Sequence, residues 1–110
     1  MNSIFAAWLL LAISIVSEVV GTVALKQSNG FAKFVPAVCA GFCYVLAVWL
    51  MSVSMKQLEM GITYAVWAGG GAALTALVGI VIYDESANLF KLIGVALVVV
   101  AVVVLNLGSK

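Results

Sequence analysis

Four apolar runs, each about as long as a bilayer is thick, crowd this 110-residue sequence and leave room for little else. A hydrocarbon core of about 30 Å takes roughly 20 residues of helix at 1.5 Å per residue. The runs lie at about residues 4–25, 34–55, 61–83 and 89–107. Lys26-Gln27-Ser28-Asn29-Gly30 ends the first in turn residues, and Pro36 falls in the first turn of the second, where its missing N–H costs nothing. Lys56-Gln57-Leu58-Glu59 makes a very short connection, and Asp84-Glu85-Ser86 stops the third run. The fourth is rich in valine, which favours strands in water. In lipid an open strand leaves its backbone unpaired, so helix is expected there too. The predicted fold is an all-α integral membrane protein, one four-helix transmembrane domain spanning the whole chain.

Composition excludes the soluble alternative. Hydrophobic residues make up 66% of the chain and charged residues 8%, with no Arg and no His. A soluble domain needs charge on roughly a quarter of its residues. So few charges cannot coat a globule, and any chemistry here takes place within the bilayer. The start Met1-Asn2-Ser3 carries no basic side chain and no obvious cleavage site precedes Glu18, so the first span is expected to be retained. Cys39 and Cys43 lie one helical turn apart in an apolar run. That spacing suits neither a disulfide within the helix nor a metal site, and both are expected to be packing residues.

Eight of the nine charges (Lys26, Lys33, Lys56, Glu59, Asp84, Glu85, Lys91 and Lys110) sit in loops or at span ends. Glu18 is the exception. It lies eight residues before Lys26, about 12 Å deep and too far for its side chain to reach water easily. An acid at mid-span costs on the order of 2.5–3.5 kcal/mol on insertion scales, which makes it a functional candidate by default. The competing reading is a permanently neutral carboxyl satisfied by a neighbouring helix. Against it, the stripe Ala7, Leu11, Ser14, Glu18, Gly21, Thr22 and Leu25 is small and polar around the acid. Ser14, Gly21 and Thr22 thus leave room for a ligand, and they join Glu18 as candidate binding residues.

The third run holds Gly61-Ile62-Thr63-Tyr64-Ala65-Val66-Trp67-Ala68-Gly69-Gly70-Gly71, with Tyr64, Trp67 and Gly71 at i, i+3 and i+7 on one face. Aromatic faces attract cations, by up to about 2 kcal/mol when desolvated. A carboxylate with aromatic faces nearby suits a hydrophobic cation. The alternative for these rings is an interfacial belt or plain packing. Tyr44 and Trp49 are further aromatics with polar handles in the second run, and Trp8 reads as belt. The glycine run at 69–71 permits either close packing or a hinge, at Gly69 and Gly71. Gly94 and Ala101, one heptad apart, suggest a tight helix–helix seam.

Taken together, these residues resemble the small multidrug resistance family of proton-coupled exporters over essentially the whole chain. The resemblance rests on Ser17-Glu18-Val19-Val20-Gly21-Thr22, on Leu25-Lys26, on Ser28-Asn29-Gly30-Phe31 and on Gly61 to Trp67. It implies a transporter rather than an enzyme, in a bacterial inner membrane, paired as an antiparallel homodimer or with a paralogous subunit. It further implies two copies of Glu18 binding protons or substrate, cation contacts at Tyr44, Trp49, Tyr64 and Trp67, flexing at Gly69 and Gly71, and a dimer seam from Gly94 to Ala101. No cofactor beyond the proton gradient is implied, and no nucleic-acid partner. Exporters of quaternary ammonium compounds typically have Gly-Thr where this chain has Gly21-Thr22, whereas guanidinium exporters typically have Trp at the first position. Ala68 stands where Ser or Thr is usual, so neither branch fits completely; the lipophilic-cation branch is favoured.

The implied mechanism is competition for one charge. A protonated Glu18 is neutral and tolerates lipid, and two copies titrate as a coupled pair. A cation displaces the protons, is neutralised by the carboxylates and is held by the aromatics. Rotary-ring proton carriers also use one intramembrane acid, but usually in two-helix hairpins. A passive pore or a structural subunit needs neither a deep carboxylate nor aromatics beside it. No phosphate-binding loop is present to use a nucleotide. With the N-terminus inside, Lys56 and Lys110 fall on the cytoplasmic side against Lys26, Lys33 and Lys91 outside. Two against three is a weak positive-inside bias, and insertion in both orientations is expected.

Overall fold

The computed structural model describes residues 3–108. Met1, Asn2, Ser109 and Lys110 (whose charge enters the topology count) lie outside the described residues. Four helices follow one another, α1 Ser3–Gln27, α2 Phe34–Ser54, α3 Met60–Ile82 and α4 Leu89–Gly108. All four are long and apolar enough to cross a membrane. Their ends fall within two residues of the runs read from the sequence. Contacts divide the chain between Leu58 and Glu59 into two compact units, one pairing α1 with α2 and the other pairing α3 with α4.

In the first unit the helices meet along small residues. Ala7, Leu11, Ser14, Ile15, Ser17 and Val19 of α1 are buried, as are Ala40, Ala47, Leu50 and Ser54 of α2. Three serines tie the seam by donating to backbone carbonyls across it. Ser54 Oγ reaches Ala7 O at 3.0 Å, Ser14 Oγ reaches Ala47 O at 2.6 Å, and Ser17 Oγ reaches Cys43 O at 2.8 Å. Lipid supplies no hydrophobic force between helices, so close approach and interhelical hydrogen bonds hold such pairs together. The α1–α2 turn is built on buried Ser28. Its N–H caps Ala24 O at 3.0 Å, its hydroxyl caps Leu25 O at 2.7 Å, and its carbonyl accepts Lys33 N–H at 3.0 Å. Asn29, Gly30 and Phe31 follow with positive φ, a conformation natural to Gly and tolerated by Asn.

In the second unit Gly69 forms a notch for α4. A β-carbon there would lie 2.7 Å from Val102 Cγ2 and 3.1 Å from Val98 Cγ1. At the end of α3, Gly79 O accepts the N–H groups of Tyr83 and Glu85, each at 3.1 Å, while Asp84 turns the chain at φ 56°. Glu85 folds back so that its carboxylate fills the space beside Gly79. Asn88 starts α4, its Oδ1 accepting Lys91 N–H at 2.9 Å. No residue of α4 is buried. Large apolar side chains such as Phe42, Val45, Val81 and Leu97 stand exposed on the units. In water such surface would be untenable; in hydrocarbon it is ordinary.

Candidate functional site

Glu18 occupies the middle of α1, between seam residues Ser17 and Val19, and is half-buried. Gly21 is buried one turn further on, and the ring of Tyr44 from α2 lies over it. A β-carbon on residue 21 would sit 3.1 Å from Tyr44 Cε1 and 3.1 Å from Cys43 Cβ. A side chain there would push the ring back by a few tenths of an ångström. The approach brings Tyr44 Oη to 2.8 Å from Thr22 Oγ1. Thr22 Oγ1 in turn stands 3.4 Å from Glu18 Oε1 and 3.0 Å from the Glu18 carbonyl four residues back. The other carboxylate oxygen, Glu18 Oε2, is buried and has no hydrogen-bond partner among the described residues. One oxygen thus faces the Thr22 hydroxyl, and the other is enclosed without a hydrogen-bond partner among the described residues. A buried oxygen left unpaired is costly, so something must bind it or neutralise it.

The first unit gathers Glu18, Gly21, Thr22 and Tyr44 at one place. Ser14, one turn before Glu18, is fully buried in the seam with its hydroxyl given to Ala47 O. Trp49 follows Tyr44 by five residues, about 140° around α2, and is 61% exposed. Cys43 packs against Gly21 as a small residue should, whereas Cys39 is exposed. In the second unit the Tyr64 and Trp67 rings form a pair, centroids 6.1 Å apart and tilted by 34°. Tyr64 is 57% exposed and Trp67 half-buried. Gly69 and Gly71 lie within uninterrupted helix, Gly69 packed on α4 and Gly71 buried. Gly94 and Ala101 stand on the exposed surface of α4, and space around the Gly94 β-position is open to 4 Å.

Two features escaped sequence reading. Ser17 and Ser54 tie the seam, and Tyr44 makes its contact through Thr22. A serine on a helix gives no sign of which carbonyl it will meet, although Ser14 and Ser17 at i, i+3 on one face were a hint. The Tyr44–Thr22 contact depends on the helix pairing, which a single periodicity does not encode.

Comparison with known proteins gives a consistent result. The small multidrug resistance protein family matches residues 6–98. The quaternary ammonium compound-resistance protein QacF of Klebsiella aerogenes is 43% identical over 103 residues, covering 94% of each chain. QacH of Staphylococcus saprophyticus, of the same description, is 40% identical over 99 residues, covering 90% of this chain and 92% of its own. A guanidinium exporter of Proteus vulgaris is 34% identical over 103 residues, covering 94% and 99% respectively.

Proposed function

We propose, since this chain belongs to the small multidrug resistance protein family, that it exports lipophilic and quaternary ammonium cations in exchange for protons. The observation that carries the proposal is the half-held carboxyl in mid-span: Thr22 engages Oε1 of Glu18, while buried Oε2 has no partner among the described residues. Protons and a cation compete for that oxygen. The neutral, protonated form and the cation-paired form both avoid a bare charge in hydrocarbon, so one species leaves as the other binds.

The exchanger is proposed to work as an antiparallel homodimer in a bacterial inner membrane. The weak lysine bias allows chains of both orientations, and two copies of Glu18 then serve one central site. The exposed Gly94–Ala101 face of α4 supplies the seam, and Gly69 and Gly71 the flexing element. Labelling single cysteines at Asn29 and Asn88 with an impermeant reagent checks the orientation; about half should react at each site, and nearly complete labelling at either, with none at a cysteine near Gln57, refutes dual topology.

Tyr64 and Trp67 are proposed to hold the cation by their faces, since their paired rings offer two π surfaces. Tyr64→Ala and Trp67→Ala should each weaken cation binding by about 1 kcal/mol or more, and Trp67→Phe by less. Unchanged affinity in both alanine variants, measured by calorimetry in detergent, would return these rings to packing. Guanidinium export is the second reading, supported by the similarity to the Proteus vulgaris exporter, while Ala68 fits neither branch. Liposomes holding the pure protein under a pH gradient decide between the two. Uptake of a quaternary ammonium dye should exceed that of guanidinium; the reverse order selects the second reading, and uptake of neither removes both.

A further inference from the structure

Thr22 carries a single hydroxyl proton, and three oxygens crowd it: Tyr44 Oη at 2.8 Å, the Glu18 carbonyl at 3.0 Å and Glu18 Oε1 at 3.4 Å. The first of these belongs to α2, the other two to α1. A phenol placed beside a threonine hydroxyl can donate to it, which releases the threonine proton for one of the two Glu18 oxygens. The back-bond to the residue four positions earlier is the usual fate of such a hydroxyl in a helix, so the carbonyl is the default acceptor. An ionised carboxylate is the stronger acceptor, and draws that proton away from the carbonyl.

We infer that Thr22 and Tyr44 form a two-hydroxyl relay that positions the Glu18 carboxylate, and that the Tyr44 hydroxyl acts through Thr22 rather than on the transported cation. The inference rests on the exporter reading and deepens it. Tyr44 O–H donates to Thr22 Oγ1, and the Thr22 proton points to Glu18 Oε1 when the cation is bound and to the Glu18 carbonyl when the carboxyl is neutral. No proton changes owner in this rearrangement; one hydrogen bond changes acceptor. The arrangement fixes which carboxylate oxygen is spent. Oε1 faces the relay, so Oε2 is the oxygen presented to the proton or cation. On α2, the helix packed against α1, the titratable side chains near this point are Tyr44 and Cys43, and Cys43 lies against Gly21.

The relay explains why residue 21 lacks a side chain. The Tyr44 ring rests on Gly21 at a distance that a β-carbon would tighten to 3.1 Å. A larger residue lifts the phenol away from Thr22 and uncouples α2 from the carboxylate. Tyr44 and Thr22 are therefore positioning residues. Their contributions are serial, so removing either hydroxyl should cost what removing both costs.

The test is a double-mutant cycle on the full chain in detergent, with tetrapropylammonium as the probe and calorimetry as the readout. Tyr44→Phe keeps the ring face and loses only the hydroxyl; Thr22→Val keeps the shape and loses the donor. Each should weaken binding about tenfold, Thr22→Val by losing a hydrogen bond to a charged group and Tyr44→Phe by leaving the Thr22 hydroxyl unoriented. The double variant should also be about tenfold weaker, not about a hundredfold, and Thr22→Ser should restore near-normal affinity. Multiplying losses, or normal binding by Tyr44→Phe, overturns the relay. A second measurement needs no ligand. The infrared carboxyl bands that vanish in Glu18→Gln should move in Tyr44→Phe, although that hydroxyl does not touch the carboxyl; unmoved bands overturn the relay as well. Failure of the wild-type protein to bind tetrapropylammonium strikes the exporter reading instead, and the infrared result still decides the relay.

Discussion

Glu18→Gln should leave the helices intact and abolish cation-driven proton release and proton-driven uptake altogether. Gln matches Glu in length and volume, and its amide oxygen can still accept from Thr22, whose Oγ1 stands 3.4 Å from Oε1 in the native chain. Its NH2 group falls where Oε2 is buried without a partner. That leaves an unsatisfied donor at a cost of roughly 1–3 kcal/mol, less than unfolding requires. What the substitution removes outright is ionisation. No other acid lies within a span; Glu59, Asp84 and Glu85 all sit between helices, so no neighbour can take over. Glu18→Asp keeps the charge but withdraws it by one methylene from Thr22, and should retain partial transport with an altered pH optimum. Circular dichroism alongside a transport assay in liposomes separates loss of exchange from loss of fold.

The second large effect is expected at Gly69→Val, and it is one of packing. The β-carbon alone would stand 2.7 Å from Val102 Cγ2, well inside contact distance, and a branched side chain adds two methyls to the same space. Val102 is itself branched and stiff in a helix, so it cannot swing aside cheaply. Overpacking of this kind costs about 1–3 kcal/mol. Val102→Ala should return much of that loss when combined with Gly69→Val, because it empties the notch from the other side. Gly41→Ala serves as the contrast, since nothing lies within 4 Å of that β-position. It should be neutral or stabilising by up to about 1 kcal/mol from helix propensity. Unfolding in mixed detergent micelles reads all three variants. Equal stability of Gly69→Val and Gly41→Ala would show that α4 does not key into α3 at this residue.

The architecture was legible because lipid imposes one rule on every span. A run of about 20 apolar residues has few alternatives to a helix, so the ends of α1 to α4 followed from Lys26-Gln27, Pro36, Glu59 and Asp84-Glu85. Glu18 was legible for the same reason, as a charge in the wrong place. The role of each small residue was not. Gly21, Gly69 and Gly79 look alike in sequence, yet one seats a tyrosine ring, one receives a valine and one lies under a carboxylate. Ser14 shares a face with Glu18, yet nothing in the sequence says that its hydroxyl meets Ala47 O across the α2 seam while Thr22 stands at the acid. Such assignments depend on which neighbour arrives, and helix pairing is set by the sum of many close contacts rather than by one periodicity.

Proton-coupled export requires protons and cation to compete for Glu18. The most direct measurement adds a quaternary ammonium salt to the purified protein in weakly buffered detergent solution and follows the pH. Mixing with the wild-type chain should acidify the solution, saturating as the cation saturates, and mixing with Glu18→Gln should not. Cation binding by the wild-type chain without proton release, or release that persists in Glu18→Gln, would contradict it.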